Sequence, residues 1–161
     1  MNIRRGRPSF EQAGFSATEL VVVLAILGIL TATAMPLFIR YYQGARLKVA
    51  AEEVAAFLNQ GRQLGIRENA GVCVQRAPTA MQYYVGSPVG GACTGTTAAT
   101  LTMPETITLT ASANPITFDY LGAATPTTYT LTNAQDGQSL RVTVAISGRI
   151  RICPGGAGPC T

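Results

Sequence analysis

Residues 20–39 form a run without a single charged side chain, and this run limits the folds open to the chain more than any other feature. As a helix it would rise by about 30 Å, the thickness of the hydrocarbon core of a bilayer. Arg4, Arg5 and Arg7 precede the run, and positive charge on this side predicts a cytoplasmic N-terminus and an exported remainder. No A-x-A-like site follows the run, so cleavage and release as an ordinary secretory protein is the weaker interpretation.

Glu19 places a carboxylate at the start of this apolar run. At membrane depth such a charge costs about 2.5–3.5 kcal/mol on insertion scales and needs a partner. Two interpretations are open at this point. The Ser16-x-x-Glu19 spacing fits a capping box that satisfies free N–H groups at a helix start. Alternatively, the carboxylate serves a function and pairs with a cation.

The residues around Glu19 resemble a processing signal. Gly14-Phe15, a glutamate at the fifth position after the glycine, a basic leader and a long apolar run are similar to the class III signal of type IV pilins and type II secretion pseudopilins. The resemblance implies that a prepilin peptidase cleaves after Gly14 and methylates the new N-terminus at Phe15. It also matches Pro36 to the helix-kinking proline of that family.

Physical arguments fit this resemblance. A new α-amino group beside apolar residues offers Glu19 a cationic partner, either in its own chain or in a neighbouring subunit. Loss of one partner of such a buried pair costs about 3–5 kcal/mol, so the pair would fix the register of subunits in a filament. Pro36 cannot donate a backbone N–H and clashes with the preceding turn, which predicts a kink or local melting near residues 33–36.

The helical pattern continues beyond the apolar run. Apolar residues recur at spacings of three and four, which is typical of one face of an amphipathic helix. The stripe consists of Leu47, Ala50, Ala51, Val54, Phe57, Leu58, Gly61 and Leu64. Asn69-Ala-Gly71 is a plausible stop. The pattern predicts one helix over residues 16–68, with a membrane or filament-core half and a half that packs under a head domain.

From residue 71 onward the pattern has period two, with β-branched residues and Gly, Pro and Asn between the runs. The predicted strands are 72–76, 81–85, 106–111, 115–120, 127–132, 140–146 and 149–153. Residues 88–100 are rich in Gly, Ala and Thr and are predicted to be an irregular loop. The predicted fold class is α+β, with the long N-terminal helix packed on a mainly antiparallel β head.

Four cysteines lie in the part that is expected to be exported, which is an oxidising compartment. Cys153 and Cys160 bracket the short flexible sequence Pro-Gly-Gly-Ala-Gly-Pro, so the pairs Cys153–Cys160 and Cys73–Cys93 are favoured among three possible pairings. A zinc site is the competing interpretation, but the chain has no CxxC spacing and no His. We therefore expect structural disulfides and no metal.

The sequence offers little to catalysis. Charged residues make up 12% of the chain, about half of the usual share, and His, the commonest general base, is absent. No nucleophile–base set, phosphate-binding glycine loop or metal-ligand cluster is recognisable. The sequence predicts a protein that is not an enzyme and has no cofactor.

Arginines alternate with apolar residues near the C-terminus. Period two puts Arg149 and Arg151 on one face and Ile150 and Ile152 towards the core, and Arg141 joins the arginines in a suitable register. Guanidinium groups placed in this way grip phosphates. The alternative is a solvent-facing strand that simply carries arginines.

The helix segment 45–69 running into Gly-Val-x-Val, the stretch 116–122 and the closing Ser-Gly-Arg-Ile-Arg resemble the GspH/FimT group of minor pilins and pseudopilins. In FimT-like members a Gly-Arg-x-Arg element is associated with DNA binding in natural transformation, and residues 148–151 match it. The resemblance implies a type IV pilin-like fold and a pilus subunit that is anchored in the inner membrane and assembles with other pilins. A type II secretion pseudopilin is the alternative.

These arguments divide the chain into four expected parts. They are a removable leader (1–14), a membrane or filament-core helix (15–39), an amphipathic helical half (40–69) and a periplasmic or extracellular β-rich head (70–161). Binding of double-stranded DNA, where it occurs, would be directed mainly at the phosphate backbone and would be sensitive to salt.

Overall fold

The computed structural model of the chain describes residues 16–77, 79–156 and 160. Two compact units are distinguished, Met1–Ile39 and Arg40–Thr161, and we call the second the head unit. The described residues form one helix, α1 (Ala17–Glu68), and eight strands: β1 (Val72–Ala77), β2 (Ala80–Val85), β3 (Thr96–Thr102), β4 (Ile107–Ala111), β5 (Ile116–Phe118), β6 (Thr127–Asn133), β7 (Ser139–Val144) and β8 (Ile150–Pro154).

Helix α1 packs against the sheets of the head unit through the stripe that its sequence predicts. The residues buried along it are Leu47, Ala50, Ala51, Val54, Phe57, Leu58, Gly61 and Gly65. The predicted stripe is confirmed except at its end, where Leu64 is half-buried and Gly65 is buried instead. The helix ends at Glu68, as predicted, because Asn69 adopts a positive φ of 50° and Ala70 N–H turns back to the Gly65 carbonyl oxygen at 3.1 Å.

The strands form two four-stranded sheets, in the orders β3-β2-β1-β5 and β4-β6-β7-β8. Every pair of neighbouring strands is antiparallel. The predicted α+β class with an antiparallel head is therefore confirmed.

Strand β3 corrects the prediction of an irregular loop over residues 88–100. Thr96–Thr102 pairs with β2 along the edge of the first sheet. This segment contains mainly Thr and Ala, and most of its side chains are exposed, so the alternation of apolar and polar residues that marks a half-buried strand is missing. Its pairing rests on backbone hydrogen bonds to β2, which leave little trace in the sequence.

Both sheets and the helix contribute to one hydrophobic core. Its largest fully buried side chains are Tyr129 and Phe118 from the two sheets and Leu58 from the helix. Phe57 of the helix contacts Tyr83 of β2, with ring centroids 4.8 Å apart. Because the core cluster draws on residues 47–150 only, the head unit has its own core.

Candidate functional site

The first candidate site is the apolar part of α1. All described side chains of residues 16–42 are exposed, among them Leu20, Leu24 and Phe38. The helix is long and apolar enough to cross a membrane, with a mean hydropathy of 2.5 over its most apolar window. The hydroxyl of Thr31 donates to the carbonyl oxygen of Leu27 at 2.8 Å, so even this polar group is satisfied within the helix.

The sequence predicts a kink or local melting near Pro36. The helix is continuous through this residue, so local melting is not observed, and the kink stays a prediction.

Glu19 lies in the first turn of α1 and is exposed. The Ser16 hydroxyl pairs with the Thr18 hydroxyl at 2.8 Å, and no described residue bonds to the Glu19 carboxylate. The capping-box alternative is therefore not formed by these residues. Gly14 and Phe15 lie outside the described residues, and their processing stays a prediction.

The four cysteines form two disulfides, Cys73–Cys93 with 5.5 Å between Cα atoms and Cys153–Cys160 with 5.2 Å. This is the pairing that the sequence favours. Because no thiol is free, the cysteines offer no zinc ligands. Nor does any group of three or more His, Cys, Asp or Glu side chains come together elsewhere in the described parts of the chain.

The second candidate site is the hairpin of β7 and β8. Its register pairs Arg141 with Cys153 and Thr143 with Arg151, so these four side chains share one face of the sheet. The register therefore places Arg141 beside Arg151, the arrangement that the sequence leaves open. The Cys153–Cys160 disulfide lies on the same face, where the Thr143 hydroxyl contacts both sulfur atoms, at 3.7 and 3.5 Å.

Two of the three arginines hold the C-terminal segment in place. Arg141 Nε donates to the Pro154 carbonyl oxygen at 3.2 Å, and Arg151 Nη1 donates to the Cys160 carbonyl oxygen at 3.3 Å. Both side chains are half-buried. Their guanidinium groups therefore have a structural task in addition to carrying charge.

Arg149 differs from the other two. It lies in the turn before β8 and is exposed, whereas the sequence predicts it inside a strand over 149–153. Ile152 pairs with the buried Val142 and so lies on the core face, as expected, but 41% of its surface is exposed. Strand β8 is the edge of its sheet, so no further strand covers its outer side. Ile150 is half-buried against the core, as expected.

Arg62, Gly122 and Gly148 form a junction that the sequence patterns do not predict. Arg62 Nε of α1 donates to the Gly122 carbonyl oxygen at 2.9 Å. Gly148 has a φ of +71° and is buried against the same carbonyl, with which a Cβ at this position would collide. The two glycines are the only sequence signal of this close approach, and nothing in the helix pattern singles out Arg62. The junction fixes the turn that presents Arg149.

Comparisons with known proteins agree with this fold. Residues 50–148 match the family described as "Type II transport protein GspH". Two curated fimbrial proteins of Pseudomonas aeruginosa are 35% identical over 75 residues, which is 47% of this chain, and the chain spans about half of their length (48%).

Solved structures show the same fold at low sequence identity. The type IV minor pilin FimU of Pseudomonas aeruginosa has a TM-score of 0.59 at 17% identity, covering 71% of this chain and 92% of its own. GspH of E. coli has a TM-score of 0.57 at 14% identity, with 71% and 93% covered. The minor pseudopilin EpsH of the Vibrio cholerae type 2 secretion system has a TM-score of 0.54 at 15% identity, with 69% and 98% covered. The chain belongs to the GspH family, and it shares its fold with a type IV minor pilin and a minor pseudopilin.

Proposed function

We propose that the chain is a minor pilin without enzymatic activity or cofactor. A prepilin peptidase removes residues 1–14 and methylates Phe15, the segment 15–39 holds the product in the inner membrane, and the head lies in the periplasm until the subunit enters a pilus. The observation that carries the proposal is the uncovered apolar helix over residues 16–42 in a chain whose head unit has its own core. Such a helix needs either lipid or other helices around it.

The 35% identity to curated fimbrial proteins supports a pilus subunit. The likeness to EpsH, a minor pseudopilin of a type 2 secretion system, supports the alternative, a pseudopilin in protein export. The two functions share the same anchor and the same processing. Deletion of the gene separates them: loss of pili with normal secretion of folded exoproteins is expected, and the reverse result would favour the pseudopilin.

Assembly is proposed to depend on Glu19. Its exposed carboxylate in the first turn of α1 has no bond to any described residue, so it is available to the N-terminal amine of Phe15 in its own or a neighbouring subunit. In an apolar surrounding, removal of one partner of the pair costs about 3–5 kcal/mol, because it leaves the other charge buried and unpaired. The pair would therefore set the register of subunits in the filament.

The test compares Glu19→Ala with Glu105→Ala, which removes an exposed carboxylate from the head. Mass spectrometry of the N-terminus measures cleavage and methylation, and immunoblots of sheared pili measure incorporation. We expect both variants to be cleaved after Gly14 and only Glu19→Ala to lose incorporation, by about tenfold or more. Efficient incorporation of Glu19→Ala would refute the ion pair. A mature protein that begins at Met1 would refute the whole proposal.

Nucleic-acid binding is the second candidate function. It is favoured by the exposed Arg149 and by the charge of residues 137–161, which contain three arginines and no Asp or Glu. Because Arg141 and Arg151 hold backbone carbonyls, Arg149 is the most accessible of the three. Contacts of this kind address phosphates and depend strongly on salt.

The experiment for this candidate measures binding of a labelled DNA duplex by the full chain in non-ionic detergent at low salt. Arg149→Gln with Arg151→Gln is expected to weaken binding and flatten its salt dependence, and pilus abundance should stay normal. Lys48→Gln with Arg67→Gln, which removes two exposed positive charges from α1, is the control for net charge. Unchanged affinity of the double variant would remove this candidate.

A further inference from the structure

Strand β3 is an edge strand that lacks most of the features that protect sheet edges. It pairs with β2 on one side only, because it ends the order β3-β2-β1-β5. The outer side of an edge strand presents backbone N–H and C=O groups that no neighbouring strand satisfies, and natural proteins protect them with charges, prolines, bulges or covering segments. Residues 77–104, which include β2 and β3, hold no charged side chain, and β3 has no proline. Its outer side is therefore open to another strand.

One protective feature is present, but it affects only the first part of β3. The register of the β2–β3 pair shifts there, so Ala98 is an extra residue that has no partner in β2. After the shift, residues 99–102 pair with residues 80–83 one for one. In this regular part Leu101 is half-buried against the core, whereas Thr100 is exposed. The second half of β3 is therefore a regular strand with an apolar face and a threonine face.

The other three edge strands are covered or charged. Beside β5, Thr125 N–H donates to the Thr117 carbonyl oxygen at 3.0 Å. On β4, the Leu109 carbonyl oxygen accepts a bond from Arg76 Nη1 at 3.0 Å. Strand β8 carries Arg151, so two β8 edges would bring like charges together. Among the strands that the structure describes, β3 is thus the edge that is neither covered nor charged.

We propose that β3 pairs with β3 of a second copy of the chain, antiparallel and about a two-fold axis, so that two four-stranded sheets become continuous. An extended strand satisfies the row of N–H and C=O groups on an edge, and in a second copy β3 is the edge that is open to do so. Two uncharged edges meet without charge repulsion, and a two-fold contact closes on itself. This contact is separate from association through the apolar part of α1.

The two faces of β3 limit how two copies align. Opposite residues of an antiparallel pair point to the same side of the sheet, so the two-fold axis passes through a residue and not between two residues. An axis at Thr100 sets this residue opposite its own copy and sets Leu101 opposite Ala99, and such cross-strand pairs stabilise antiparallel strands. A strand of 7 residues offers far less than the about 20–30 residues a side of a stable interface, so the copies pair when concentrated and separate at the dilution of gel filtration.

The experiment measures fluorescence energy transfer between donor-labelled and acceptor-labelled copies of the full chain in excess non-ionic detergent. Both dyes are attached to Lys48, the only lysine of the chain. Thr100→Glu sets two carboxylates opposite each other at the axis, and the matched control Thr110→Glu puts the same charge on an exposed threonine of β4. We expect transfer in the wild type and in Thr110→Glu to rise with concentration up to about 0.5 mM. Thr100→Glu should lose about half of this transfer or more, because like charges directly opposite each other destabilise paired strands.

A mixture of two variants separates charge repulsion from damage to the fold. Donor-labelled Thr100→Glu with acceptor-labelled Thr100→Arg should regain the transfer of the wild type or exceed it, because opposite charges then meet at the axis. The proposal is overturned if transfer in the wild type does not depend on concentration, or if Thr100→Glu leaves it unchanged. An equal loss in Thr110→Glu, or no recovery in the mixture, overturns it as well.

Discussion

Gly148 shows how a single residue can hold two loops and a helix together. Its φ of +71° disfavours any side chain, and a Cβ would also collide with the Gly122 carbonyl oxygen. Gly137 has nearly the same φ, +70°, but nothing lies within 4 Å of its Cβ position. Substitution of Gly137 therefore measures the free-energy cost of the backbone conformation alone, and substitution of Gly148 adds the cost of the collision with the Gly122 carbonyl oxygen.

We expect Gly137→Ala to lower the free energy of unfolding by about 1 kcal/mol, the cost of the left-handed conformation. Gly148→Ala should lower it by about 3 kcal/mol or more, because overpacking adds to that cost. Urea unfolding in mild detergent, followed by tyrosine fluorescence because the chain has no Trp, measures both. Equal losses in the two variants would show that the contact with Gly122 contributes nothing.

Tyr129 links the stability of the core to pH. It is fully buried, and within the described residues neither its hydroxyl nor Arg76 Nε has a hydrogen-bond partner. Burial raises the pKa of Tyr129 above its ordinary value of 10.0, although the nearby Arg76 opposes the shift. Above pH 10 the tyrosine of the unfolded chain releases its proton, whereas the buried tyrosine of the folded chain keeps it. The free energy of unfolding is therefore unaffected by this group below pH 10 and falls as the pH rises above 10.

We expect Tyr129→Phe to be at least as stable as the wild type at pH 8, because it removes a buried hydroxyl without a partner. Between pH 10 and 11 the wild type should lose up to about 1.4 kcal/mol more than the variant. Denaturant unfolding at pH 8, 9, 10 and 11 measures the difference. Parallel losses in both proteins would contradict a buried, protonated Tyr129.

The elements differ in how much of them the sequence predicts. The helix and the strands with buried side chains follow from periodicity, because burial of one face imposes a repeat of 3.6 or 2 residues. Strand β3 is not predicted in this way, because its mostly exposed Thr and Ala side chains show no alternation of apolar and polar residues. At the candidate site, the shared face of Arg141 and Arg151 depends on register, and the junction of Arg62, Gly122 and Gly148 depends on contacts between distant segments. The register depends on the turn that joins the two strands and the junction depends on a contact between distant segments, so neither follows from the periodicity of a single strand.

The two disulfides connect different kinds of elements, and their removal should have different costs. Cys73–Cys93 ties the buried strand β1 to the segment before β3 over a separation of 20 residues, whereas Cys153–Cys160 closes 7 residues. In the chain-entropy model the longer loop contributes about 3 kcal/mol and the shorter one about 2 kcal/mol. We expect the Cys73→Ala/Cys93→Ala variant to lose more stability in thermal unfolding than Cys153→Ala/Cys160→Ala. The opposite order would show that the bonds of Arg141 and Arg151 to the C-terminal segment depend on the second disulfide.

At the scale of the whole molecule, the core and the apolar surface lie in different parts of the chain. The core cluster uses residues 47–150, and the continuous exposed apolar surface lies within residues 16–42. We therefore expect the head unit to determine the folding stability of the chain, and the helix segment before it to determine association with other molecules. This division suits the proposed filament subunit, whose head would have to stay folded both in the membrane and in the filament.

We therefore expect a fragment of residues 40–161 to fold without detergent, to be monomeric, and to unfold at nearly the same temperature as the full chain in detergent. The full chain should form large oligomers when detergent is removed, because residues 16–39 then have only each other to cover them. Light scattering coupled to gel filtration measures mass, and near-ultraviolet circular dichroism measures unfolding. The fragment with Val54→Asp, a charge at a fully buried position of α1, is the unfolded reference. A fragment that resembles this reference would show that residues 16–39 are needed for the head to fold.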